Sequence, residues 1–201
     1  MTNRILHELK EHLPFTLFAT LIAMAIVALG YFINKTSFLS YTTSLFYIFH
    51  PAHIFFSSIV SSAIYFRYRK NIIAAIAIGF IISIAMGSIS DVIFPYLGGL
   101  IFGFETSFHL PIFEIPWLII LVSLSGCSLA ILGFTKIPHF LHVFLSVFAS
   151  LLYILAFSIP LNFLGLVLVF IITFISVIVP CCLGDIVFPL MFQKSRRKKS
   201  K

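Results

Sequence analysis

The stretch His50-Pro51-Ala52-His53-Ile54-Phe55-Phe56-Ser57-Ser58-Ile59-Val60-Ser61 returns 89 residues later as His139-Phe140-Leu141-His142-Val143-Phe144-Leu145-Ser146-Val147-Phe148-Ala149-Ser150. Two histidines and two serines stand in register in the two copies. Further along, Ser90-Asp91-Val92-Ile93-Phe94-Pro95 is matched by Gly184-Asp185-Ile186-Val187-Phe188-Pro189 at an offset of 94. Upstream, Leu29-Gly30-Tyr31 pairs with Leu132-Gly133-Phe134 at an offset of 103, and Pro14-Phe15 with Pro116-Trp117 at 102. The matches keep one order in both halves, which is what duplication of a single unit produces. Chance among apolar helices accounts for matched Leu, Ile and Phe. It does not readily account for two His, two Ser, an Asp and a Pro in register.

What kind of unit is repeated follows from composition. Of the 201 residues 61% are hydrophobic and 9% charged, and the mean hydropathy is strongly positive. A soluble domain is excluded, because there is too little polar surface to cover one. Crossing a hydrocarbon core takes roughly 20 apolar residues per helix, and apolar runs at about 13–34, 45–66, 71–95, 116–135, 139–158 and 163–191 each reach that scale. The expected fold class is an all-α integral membrane protein with six transmembrane helices. Three helices make up each copy, 13–95 and 116–191. Around them lie an N-terminal segment 1–12, a loop 96–115 and a basic tail 192–201.

An odd number of crossings forces the second copy to sit upside down, so the two repeats are expected to be inverted. The basic residues require the same inversion. They cluster at Arg4 and Lys10, at Arg67, Arg69 and Lys70, and in the tail from Lys194 to Lys201. Lys and Arg favour cytoplasmic loops. Placing the Arg67–Lys70 turn inside puts both termini in the cytoplasm and leaves 96–115, with Glu105, His109 and Glu114, outside. Only Lys35 falls on the wrong side. The expected location is a prokaryotic plasma membrane, the cell inner membrane, and the expected partner is the lipid bilayer. Association into a homo-oligomer is left open.

The net charge of +7 does not point to nucleic acid, because its clusters sit at helix ends rather than over a folded surface. A cleavable signal peptide is not expected, since His7, Glu8, Lys10, Glu11 and His12 precede a full-length apolar run. Cys127, Cys181 and Cys182 all fall in apolar segments, so no disulfide framework is indicated. Asn34-Lys35-Thr36 fits a glycosylation acceptor but lies too close to the membrane to carry weight.

The chemistry-bearing residues are those of the repeat. His50, His53, Ser57 and Ser61 are spaced by three and four residues and share one helix stripe, as do His139, His142, Ser146 and Ser150. Small and polar residues on such a stripe also serve helix packing, and that is the plainer reading of the serines. Asp91 and Asp185 are sharper, because a carboxylate inside a spanning segment costs roughly 3 kcal/mol. Pro95 and Pro189 follow at i+4 and cannot donate to the aspartate carbonyls. Each Asp is therefore expected to combine a carboxylate with a freed carbonyl, or simply to cap a helix end. Gly87, Pro95, Pro180, Gly184 and Pro189 are the expected helix breaks, and broken helices in equivalent positions of two halves point to a transport site.

Two His and one carboxylate per half also make a ligand set for a divalent transition metal, with His50, His53, Asp91, His139, His142 and Asp185 as candidates. A proton relay would use the same groups. Counting helical rise puts the first set toward the outer face and the second toward the inner. Two half-sites fit that spacing better than one cage. No nucleophile elbow, Cys-Xaa-Xaa-Cys, phosphate loop or dinucleotide fingerprint occurs, so enzymatic activity is not expected and no cofactor is required. The resulting expectation is a small transporter or permease for a divalent metal or other cation. The alternatives are a metal-dependent intramembrane enzyme and a non-transporting assembly subunit.

Overall fold

A computed structural model describes residues 2–133, 139–158 and 163–182. Among them every regular element is helical: α1 (Thr2–Arg69), α2 (Ile72–Ser88), a π-helical turn (Ile89–Ile93), α3 (Phe94–Ile101), α4 (Pro111–Glu114), α5 (Pro116–Ile131), α6 (His139–Phe157) and α7 (Phe163–Cys182). Two stretches are long and apolar enough to cross a membrane, Leu13–Arg69 and Ile72–Ile101. The remaining apolar helices are shorter over the described residues.

α1 is two limbs. Asn34 leaves helical geometry with φ −157 and ψ 90, and its side chain accepts from Ser37 N–H at 3.0 Å, which caps the second limb. The expected boundary at 34 is thus present, but residues 35–44 continue as helix instead of forming a loop. At the other end Lys70 takes a left-handed conformation, φ 49, and its N–H bonds Phe66 O at 3.0 Å. Asn71 then accepts from Ala74 N–H and starts α2. The Arg67–Lys70 turn is therefore built from a helix C-cap and an N-cap back to back.

The third expected span, 71–95, does not stop at Pro95. It passes through the π turn and Pro95 and runs on to Ile101, so the expected loop 96–115 begins later and contains the short α4. That segment is tied to α6 although several of its residues are exposed. Ser107 N–H donates to Phe157 O at 3.0 Å, Thr106 pairs with Ser158 as an isolated bridge, and Tyr153 O–H donates to Ser107 O at 3.1 Å.

α1 packs chiefly against α6, α5 and α2, and its second limb approaches α2 and α5 closely because of small residues. A Cβ on Gly126 would lie 2.0 Å from Ser58 Oγ and 2.4 Å from Phe55 O, and one on Gly79 would lie 1.9 Å from Ser62 Oγ. Ser83 and Ser123 hydroxyls meet at 2.9 Å across α2 and α5. Small-residue contacts of this type bring backbones together where apolar burial alone gives little direction.

Gly126→Ala should therefore destabilise the purified protein by about 1–3 kcal/mol through overpacking against a backbone oxygen that cannot rotate away. Gly103→Ala meets nothing within 4 Å and is strained only by its positive φ, so it should cost less. Thermal unfolding midpoints of both variants in one detergent check the order.

Candidate functional site

α1 delivers His50 and His53, the π turn delivers Ser90 and Asp91, and α6 delivers His142, Ser146 and Ser150. Their side chains meet in the interior. Asp91 is 0% exposed and every other member is at most 1%. Its carboxylate is fully subscribed. His50 Nδ1–H donates to Oδ2 at 2.9 Å and His53 Nδ1–H to the same oxygen at 2.7 Å. Ser90 donates to Oδ1 at 2.6 Å and Ser146 to Oδ1 at 3.0 Å. Four donors match the roughly four acceptor positions of a carboxylate, which is what a buried charge needs.

The backbone explains why Asp91 is presented in this way. In the π turn Phe94 N–H is spent on Ile89 O, so the Ser90 carbonyl gets no α-type bond from it. One residue on, Pro95 has no N–H to give. The Ser90 carbonyl is filled from the other half of the chain instead: Ser150 O–H donates to it at 2.8 Å. The proline does perturb this helix as expected, but the carbonyl met from outside is that of Ser90, because the register is π and not α.

Both imidazoles turn Nδ1 to the carboxylate, which leaves each Nε2 facing away from Asp91. His50 Nε2 is buried without a hydrogen-bond partner among the described residues, and so is Ser61 Oγ. The His50 ring stacks on Phe46 at 5.5 Å. The His53 ring meets the His142 ring edge-on, with centroids 4.7 Å apart. These two histidines occupy matching positions in the two copies of the repeat.

Of the residues singled out from sequence, His50, His53, Asp91, His142, Ser146 and Ser150 are brought together. Ser57 and Ser61 are buried on the same helix stripe at 1% exposure. Gly87 is buried, and a Cβ there would lie 2.9 Å from Ile54 Cγ1 and 3.8 Å from His53 Nδ1, while Pro180 lies inside α7. Asp185, Gly184 and Pro189 lie outside the described residues, as does the His139 side chain. The first-half set meets second-half residues directly, where the helical-rise count had kept the two sets apart. No group of three or more His, Cys, Asp or Glu is arranged to hold a metal ion among the described residues.

A second polar cluster was missed. Tyr47 O–H donates to Glu114 Oε2, and Glu114 Oε1 accepts from His109 Nδ1–H at 3.0 Å. His109 N–H donates to Tyr153 Oη at 3.3 Å, and the His109 ring stacks on Phe157 at 4.2 Å. Phe46 touches Phe157, Tyr153 and His50 at once, so this clamp connects through one aromatic ring to the Asp91 site. The aromatic spacing Phe46, Tyr47, Tyr153 and Phe157 was the available signal, yet it is indistinguishable from ordinary apolar sequence.

No family model matches the chain, and no curated protein or solved structure matches it either.

Asp91→Leu strips four buried donors of their acceptor and should destabilise the protein by about 3–5 kcal/mol, whereas Asp91→Asn keeps the shape and one acceptor oxygen and should cost less. Chemical denaturation in mixed micelles would give both values. Glu114→Ala releases Tyr47 and His109 together. Hydrogen–deuterium exchange should then rise across 104–115 while α5 stays protected, and an unchanged loop would refute the clamp.

Proposed function

We propose that the chain is a small polytopic membrane permease that moves a cation, a divalent metal ion being one case, along a path between two inverted three-helix repeats, 13–95 and 116–191. Six crossings with both termini in the cytoplasm, an outer loop and a basic inner tail complete this reading. The observation that carries it is Asp91: a fully buried carboxylate on a broken helix that is long and apolar enough to cross a membrane. Buried ionisable groups at such depth mark ion and proton pathways.

Two features add support. His53 and His142 are equivalent in the repeat and their rings touch, which is how residues beside a pseudo-two-fold axis behave. The donors to Asp91 come from both halves, His50 and His53 from one and Ser146 from the other. A cation that reaches the carboxylate has to displace some of those donors. Binding the ion and loosening the contact between halves are then one event, which is the coupling that alternating access needs. The same exchange of donors for a cation serves a proton or a metal ion.

Under this reading the second-half residues His139, His142 and Asp185 line the same path, together with Ser57 and Ser61 of the first-half stripe. The reading predicts that Asp91→Asn lowers cation flux into proteoliposomes by at least about tenfold, the equivalent of roughly 1.4 kcal/mol in the barrier, while the protein still purifies as a monodisperse species. Flux should be followed for protons and for a panel of divalent metal ions. Flux at the wild-type rate in the folded variant, or none for any cation in the wild type, refutes the permease.

A further inference from the structure

Among the described residues, the π turn at Ile89–Ile93 is the one place where a helix long and apolar enough for a membrane departs from α geometry beside buried charge, and its hydrogen bonding gives it two self-consistent registers. In the observed register Phe94 N–H bonds Ile89 O and Ser150 O–H bonds Ser90 O at 2.8 Å. In an α register Phe94 N–H would bond Ser90 O at i−4, and that carbonyl would be satisfied without Ser150. In the π register the hydroxyl from the other half of the chain thus replaces the backbone N–H four residues on, and without it the buried Ser90 carbonyl would be satisfied only in the α register. Pro95 contributes to the balance, since it has no N–H with which to serve Ser90 from i+5.

We infer that Ser150 is a positioning residue: by holding the Ser90 carbonyl it keeps the turn in the π register, and the π register is what aims the Asp91 carboxylate at His50 and His53. Adding or removing one residue per turn rotates everything beyond it by about 100° about the helix axis. Asp91 sits inside the turn, so conversion to α geometry carries its carboxylate off the Oδ2 position that both Nδ1–H groups share at 2.9 and 2.7 Å. Ser146, one turn before Ser150 on α6, donates to Oδ1 at 3.0 Å. Ser150 fixes the backbone and Ser146 the side chain, and both come from α6. A displacement of α6 relative to the turn therefore releases the register and the carboxylate together.

The inference deepens the permease reading, because it names the residue that sets the geometry of the proposed ion site. Its test does not depend on transport. In protein labelled with ¹⁵N-histidine and held in detergent micelles, the two Nδ1–H groups hydrogen-bonded to Asp91 should give strongly downfield proton signals. Loss of both in Asp91→Asn assigns them.

Ser150→Ala, Ser150→Cys and Ser150→Thr then form a series in donor strength at nearly constant backbone. The expected order is loss of both signals in Ala, an intermediate intensity in Cys and near wild-type intensity in Thr. Wild-type intensity in Ser150→Ala overturns the inference. Equal loss in all three variants also overturns it, since that outcome follows packing volume and not the hydroxyl. Should Ser150→Ala fail to fold, the Cys and Thr pair still decides: the inference requires Thr to exceed Cys. If the series behaves as expected while no cation flux is found, the positioning role stands and the permease falls.

Discussion

A carboxylate with no water around it must have its lone pairs met by protein donors or it will not stay ionised. Asp91 is in that position, and most of the interior can be read as the answer to it. Two imidazoles come from one helix at a spacing of three residues, which puts them on one face. Two hydroxyls come from the turn itself and from α6. The helix that carries Asp91 gives up α geometry at that point, and the carbonyl stranded by the change is met by Ser150. If any of these helices moved by the width of an atom, a buried charge or a buried carbonyl would go without a partner.

This constraint makes the close helix packing around the site intelligible. The glycine and serine contacts at Gly79, Gly126, Ser58 and Ser62 do not touch Asp91, yet they fix how near α2 and α5 approach the second limb of α1. Dispersion and packing supply little directional preference between apolar helices. Small residues supply the distance, and the polar cluster supplies the register. The clamp of Tyr47, Glu114 and His109 repeats this division at the C-terminal end of α6, with Phe157 and Tyr153 as the packing surface and one carboxylate as the fastener. Phe46 lies against both clusters, so the loop before α5 and the interior site share a wall.

How much of this could be read from sequence depends on whether the signal was local. The stripe His50, His53, Ser57, Ser61 and its copy His142, Ser146, Ser150 follow from helical periodicity alone, and all seven side chains are buried. The turn at Arg67–Lys70 was legible because a basic cluster is a local signal, whereas the end of the apolar run near residue 34 did not show that helix resumes at once from the Asn34 cap. The register of the third helix was not. Pro95 announces a missing donor, but which carbonyl is left depends on whether the turn is α or π, and that is decided by Ser150, 60 residues away. The Tyr47–Glu114 bond spans 67 residues and has no local signature. Helical rise correctly separates positions along one helix axis, but it says nothing about how far a neighbouring helix is shifted. That shift is what brings His142 and Ser146 to the first-half residues.

The same reasoning bears on what the duplicated motif is for. A histidine pair and an aspartate retained for ligation alone would leave the aspartate oxygens free to face an ion. Here the oxygens are occupied, by donors from both halves, and Nε2 of His50 is a ring nitrogen buried without a partner among the described residues. Under the permease proposal such an arrangement would resist an ion until the halves separate and accept one as they do. On the proposed reading the duplication then has a physical role beyond supplying a second set of ligands. It provides α6, whose serines close the site built by the first half, so that the first copy does not hold the buried Asp91 carboxylate without the second.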